Sequence, residues 1–223
     1  VVRRLGPIVL AGAVIVTLGA CSPREAPPEP EREFAARQLA AIGLTVEDFG
    51  SGWTLLPGEE GSGGGPGSSD EVPRENPCLW VTEWLPDYED FATHSWRMYT
   101  AGDDATFASD WLAAAESGVD LEAVLAEFRE TITACGVTEV DDEQGASIIT
   151  MVPDIGPALG DASFSYRAEF AALDGTALGA GEVHTVVCGP LWLHLSYIGY
   201  DPFVERETLL PLLVDRASEL GGC

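Results

Sequence analysis

Residues 182–198 read Glu-Val-His-Thr-Val-Val-Cys, then Gly-Pro, then Leu-Trp-Leu-His-Leu-Ser-Tyr-Ile. These are two strand-length apolar runs with only Gly189 and Pro190 between them. A parallel pair needs a crossover of roughly a dozen residues or more, so two residues leave only an antiparallel hairpin. Pro190 has no N–H for a ladder and belongs in the turn. If Gly189-Pro190 is a two-residue loop, Cys188 pairs with Leu191 and His184 with Leu195. Alternation then puts His184 on the Cys188 face with Leu191, Leu193 and Leu195. His194 falls on the other face with Thr185, Val187 and Trp192.

The segments upstream extend this pair into a meander. Ala146 to Val152 reads as a strand. Ala162 to Ala171 alternates, with Phe164, Tyr166, Ala168 and Phe170 on one face. A Gly/Pro loop at 155–161 separates them, and Asp174-Gly175 marks the next turn. Earlier, His94 to Thr100 predicts a strand with Trp96, Met98 and Thr100 on one face. Helices are expected at Glu33 to Ala41, at Thr106 to Ala115 and from Asp120 to about Ala134. In the last of these, Asp120 is the N-cap, and Leu121, Val124, Leu125, Phe128 and Ile132 form a buried stripe. Gly136 after Cys135 is a helix stop. A final helix is expected from Asp201-Pro202, with Leu209, Leu210, Leu213, Ala217 and Leu220 inward; Pro211 either breaks it or moves its start to near Thr208. Trp53, after Gly52, is expected to pack back onto the domain. Residues 57–73, rich in glycine, read as a flexible insertion, and without Gly-Lys-Ser/Thr they are no phosphate loop. Short links between successive strands, with helices segregated from them, give an α+β fold with an antiparallel sheet packed against helices.

The N-terminal segment addresses location. Arg3 and Arg4 precede an apolar run of eleven residues, Ile8 to Leu18. That is too short for an ordinary membrane span, which needs roughly 20 residues. Leu18-Gly19-Ala20-Cys21 closes it and resembles the lipobox of bacterial lipoproteins. The resemblance implies a signal peptide over 1–20, cleavage before Cys21, and acyl lipid on the Cys21 sulfur at the outer face of the cell membrane. Residues 21–32, rich in proline and glutamate, would be a lipidated tether, and 33–223 a single water-soluble domain. The only membrane contact expected is through the lipid.

The chain has 37 acidic residues against 11 basic ones, none of them lysine, for a net charge of −26. Such a field repels nucleic acid. Four cysteines follow Cys21: Cys78, Cys135, Cys188 and Cys223. In an oxidising compartment they read as two disulfides, with three pairings open. No C-x-x-C spacing supports a metal site.

The order of elements resembles the extracellular sensor domain of mycobacterial PknH-type Ser/Thr kinases and related actinobacterial sensor-domain lipoproteins. The resemblance is carried by Leu44 to Trp53, Cys78 after a variable loop, and the helix ending at Cys135. It continues through Leu159-Gly160-Asp161 before a strand and Val183 to Tyr197 before the last helix. It implies a central antiparallel sheet, two disulfides and a cleft for an extracellular ligand. The preferred pairing, Cys78–Cys135 with Cys188–Cys223, leans partly on this similarity.

Sequence motifs for chemistry are lacking. There is no Gly-x-Ser-x-Gly, no His-Glu-x-x-His and no Ser-x-x-Lys. On opposite faces, His184 and His194 cannot share one ion, so no metal and no cofactor are expected. The acidic clusters Asp103-Asp104 and Asp141-Asp142-Glu143 lack the spacing of a calcium loop. Tryptophan suits binding surfaces as well as cores. Trp80 and Trp84 flank an acidic loop and are the candidate cleft aromatics; Arg97 and Arg167 are candidates to face an anionic ligand. The expected function is a ligand-binding or sensor-like lipoprotein rather than an enzyme, its partner an unidentified extracellular small ligand. The alternative is a structural or protein-interaction lipoprotein of the envelope. A deep, partly apolar cavity favours the first; a flat exposed apolar patch favours the second.

Overall fold

The hairpin at 182–198 sits inside an eight-stranded antiparallel sheet. The computed structural model describes residues 34–64, 78, 90–102, 106–142, 145–154, 156–200, 203 and 205–223. In chain order the elements are α1 (Ala36–Ile42), α2 (Val46–Phe49), β1 (Trp53–Gly64), β2 (Phe91–Ala101), β3 (Phe107–Ala115) and α3 (Leu121–Cys135). There follow β4 (Val137–Asp142), β5 (Gly145–Asp154), β6 (Ala162–Ala172), β7 (Ala177–Cys188), β8 (Leu191–Gly199) and α4 (Arg206–Glu219). The strand order is β1-β2-β3-β8-β7-β6-β5-β4. Two meanders, β1 to β3 and β4 to β8, are thus joined through α3, and the last strand closes against β3. Cys188 pairs with Leu191 and His184 with Leu195, the register of a two-residue loop.

Each face of the sheet has its own apolar core. On one face, Leu39 and Ile42 of α1 and Leu209, Leu210 and Leu213 of α4 pack on Leu112, Val186, Leu193 and Leu195. On the other, Leu121, Leu125, Phe128 and Ile132 of α3 pack on Trp111, Tyr166, Val183 and Trp192. Trp53 is buried and its ring lies 4.9 Å from that of Phe49. The Asp120 side chain accepts from the Ala123 N–H as the N-cap of α3. The disulfides are Cys78–Cys135 and Cys188–Cys223.

Three expectations change. Residues 107–115 form β3, not a helix. This strand lies between β2 and β8 and is covered on both faces, so its run of apolar residues shows no alternation that would betray a strand. The glycine-rich segment is strand as far as Gly64, paired along β2 with a bulge between Leu55 and Glu60. The last helix starts at Arg206, and Pro211 lies inside it rather than at its start. Leader residues 1–20, the tether 21–32 with Cys21, Trp80, Trp84, Asp103, Asp104, Glu143, Asp201, Pro202 and the remainder of the insertion lie outside the described residues. No described helix is long and apolar enough to cross a membrane.

Candidate functional site

Asp154 is the last residue of β5 and pairs with Ser165 of β6. β6 begins at Ala162, so Ser163 and Phe164 run on past the end of β5. This leaves a notch at the end of the sheet. A pocket of about 360 Å³ occupies it, lined by Arg129, Asp154, Gly156, Ala158, Ser163, Phe164 and Ser165. That volume lies at the small end of the range for ligand sites.

Three parts of the chain build the walls. α3 turns its apolar stripe to the sheet, which leaves Arg129 on its exposed side, where Nη2 donates to the Ser163 carbonyl at 3.0 Å. The Arg129 guanidinium also lies 5.4 Å from the centre of the Phe164 ring. The loop after β5 is pinned: the Asp161 N–H donates to the Val187 carbonyl at 2.8 Å, and the Gly189 N–H to Asp161 Oδ2 at 2.6 Å. Ser163 Oγ donates to the Pro157 carbonyl at 3.3 Å. Gly156 roofs Ser165 so closely that a Cβ there would stand 2.5 Å from Ser165 Oγ.

Behind the pocket runs a ring of polar contacts. The Ser165 hydroxyl and His184 Nδ1 share a hydrogen bond of 2.8 Å. His184 Nε2 lies 3.7 Å from Glu182 Oε2. Arg206 Nη1 donates to that same Glu182 oxygen at 2.7 Å and to Asp154 Oδ2 at 3.1 Å. The ring therefore leaves the pocket at Ser165 and returns at its register partner Asp154. Burial alone would raise the Glu182 carboxyl, but His184, Arg206 and Arg167 outweigh it and hold the group below its ordinary value.

A serine, a histidine and a glutamate in line invite comparison with a nucleophilic triad, and the geometry argues against one. The gap of 3.7 Å between His184 and Glu182 exceeds a hydrogen bond, and Nε2 has no hydrogen-bond partner among the described residues. Arg206 already engages the carboxylate. His184 is only 1% exposed, so it has no direct path to a leaving group. The arrangement fixes the direction of the Ser165 hydroxyl rather than activating it.

The sequence candidates fall elsewhere. Arg97 donates to the carbonyls of Leu44 and Ala40 and clamps the turn after α1. Arg167 stands between Glu169 and Glu182 at 3.4 and 3.9 Å. Neither lines the pocket. Trp111 and Trp192 are core residues, and Trp96 packs on the same core. His184 and His194 lie on opposite faces: His194 meets Thr185 at 3.2 Å, and burial pushes its pKa down to about 3. Among the described residues no group of three or more His, Cys, Asp or Glu side chains could hold a metal ion. The pocket residues Arg129, Asp154, Ser163 and Ser165 were not singled out by sequence. Ser163 and Ser165 belong to the polar half of the alternation in Ala162 to Ala171, whose apolar half marks the core; Arg129 and Asp154 lie outside that run and had no such signal.

No protein-family model matches this chain, and no curated protein matches it. Among solved structures, the extracellular domain of PknH from Mycobacterium tuberculosis is similar, with a TM-score of 0.58 at 12% sequence identity. The match covers 85% of this chain and 100% of that one. The likeness is one of fold.

Proposed function

We propose that this chain is an extracytoplasmic, lipid-anchored domain that binds a small ligand in the notch at the end of β5. The observation that carries this reading is the pocket itself. It is concave, partly apolar at Phe164, and lined by a few fixed polar groups. Its hydroxyls and carboxylate are held by hydrogen bonds to Pro157, His184 and Arg206 before any ligand arrives, so little ordering remains for binding to cost. The similarity of fold to the extracellular domain of PknH agrees with a place outside the cell.

The test is thermal unfolding of the purified protein against calcium, magnesium, cell-wall fragments, glycans, lipids and small metabolites. A compound that binds only the folded state stabilises it by about 2.7 kcal/mol at a hundred times its Kd. A saturable rise in Tm that Gly156→Leu abolishes supports the reading, because a side chain there invades the pocket. A rise that survives this change places the site elsewhere. The anchor is tested separately. Cys21→Ser is expected to shift the protein from the membrane fraction to the soluble one, and unchanged fractionation would remove the lipid from the account.

A second reading rests on a different region. Leu178, Ile198 and Tyr200, near the start of β7 and the end of β8, are 48, 37 and 70% exposed. These apolar side chains favour docking of an envelope protein, and a ligand screen without any shift would move weight to that reading.

A further inference from the structure

The pocket carries charges of opposite sign on separate elements. Arg129 comes from α3 and Asp154 from the end of β5. Among the described residues only Nη2 of Arg129 is engaged in a hydrogen bond, by the Ser163 carbonyl. Asp154 is engaged through Oδ2 alone, by Arg206. Each therefore retains capacity for a charged ligand group. Ser163, Phe164, Ser165, Gly156 and Ala158 complete the lining.

The field of the whole molecule narrows the choice of ligand. At a net charge of −26 the protein repels compounds with net negative charge. A purely cationic ligand would meet the Arg129 guanidinium, with Arg206 behind Asp154. A molecule with no net charge but two separated ionic ends escapes both penalties. About 360 Å³ restricts it to a small one.

We propose that this pocket takes a free α-amino acid as its zwitterion, with the carboxylate toward Arg129, the ammonium toward Asp154 and the side chain against Phe164. The proposal rests on the ligand-binding reading above and names the class of ligand for that same site. Arg129 supplies a planar fork suited to a carboxylate, and the serine hydroxyls add donors or acceptors between the two ends. Asp154 accepts from the ammonium, and Arg206 holds that carboxylate in place.

The test is isothermal titration of the purified protein with free L- and D-amino acids. Each is paired with its α-amide and its N-acetyl derivative, and acetate and inorganic phosphate serve as anion controls. At least one free amino acid is expected to bind saturably, with both blocked forms weaker by about tenfold or more, as loss of a charge-assisted hydrogen bond implies. Arg129→Gln and Asp154→Asn are each expected to weaken binding by about tenfold. If Asp154→Asn also lowers the melting temperature, the blocked analogues against the unaltered protein decide the matter. A blocked form, acetate or phosphate binding as tightly as the free amino acid overturns the proposal. So does binding of another class, dependent on Arg129, with no amino acid bound; that outcome leaves the ligand-binding reading standing. Absence of binding by every compound of this panel overturns the proposal, and only absence of any shift in the thermal screen as well overturns the ligand-binding reading.

Discussion

The most costly single groups lie under the N-terminal helices. Asp110, only 1% exposed, accepts from the Leu44 N–H at 3.1 Å and the Tyr99 hydroxyl at 3.2 Å. Arg97, opposite Asp110 in register, donates to the Leu44 carbonyl at 2.8 Å. Burial lifts the Asp110 carboxyl from its ordinary 3.8 to about 6, against the pull of Arg97. The folded state therefore holds this proton more tightly than the unfolded chain. Its stabilising effect is full below the unfolded value and is lost as pH rises through the folded one. The change corresponds to about 3 kcal/mol. Relative to Asp110→Asn, the unaltered protein is expected to lose stability between about pH 4 and about pH 7 in chemical denaturation, and a constant gap would contradict this. His194 works in the opposite sense. Its lowered pKa gives stability present above the unfolded value of 6.5 and lost as pH falls below it, so His194→Gln should soften the acid limb. Gly43 sits so close to this cluster that a Cβ would stand 2.5 Å from Arg97 Nη1 and 2.8 Å from Asp110 Oδ2. Gly43→Ala is expected to cost about 1–3 kcal/mol in the same denaturation experiment.

At the scale of elements, the disulfides join pieces that the sheet alone leaves independent. Cys78–Cys135 fastens the segment before β2 to the end of α3, across 57 residues of chain. Cys188–Cys223 fastens the β7–β8 turn to the chain end after α4, across 35 residues. Replacing either pair by serine is expected to lower unfolding free energy by about 2–4 kcal/mol. β6 and α3 were legible in the sequence because their spacing shows one apolar face, and β7 and β8, buried along most of their length, because Gly189-Pro190 divides two strand-length runs. Phe164, Tyr166 and Ala168 alternate with polar neighbours, and Leu121, Leu125, Phe128 and Ile132 recur at helical spacing. β3 was not legible, because Ala113 and Ala114 are buried on opposite faces and alanine favours a helix where packing does not decide. The pocket was hidden for another reason. Arg129 and Ser163 are 34 residues apart and meet only because α3 packs over the start of β6.

For the molecule as a whole, the two helical layers divide the work. α1, α2 and α4 close one face of the sheet, and Arg216 of α4 joins Asp48 of α2 through bonds of 2.9 and 2.8 Å. On the other face α3 covers β5 to β7 and brings Arg129 to the notch. The end of the sheet that holds the pocket is stiffened by the loop bonds to β7 and by the ring through His184 and Glu182. The strongly acidic surface keeps anionic polymers away, while Arg129 and Asp154 both line the notch. The central claim is that ligands enter at this end. It is tested most directly by amide chemical-shift mapping of the protein titrated with a compound that raises its Tm. The account predicts saturable shifts concentrated at Arg129, Asp154, Gly156 and residues 163–165. Shifts centred on Leu178, Ile198 and Tyr200 instead would contradict it.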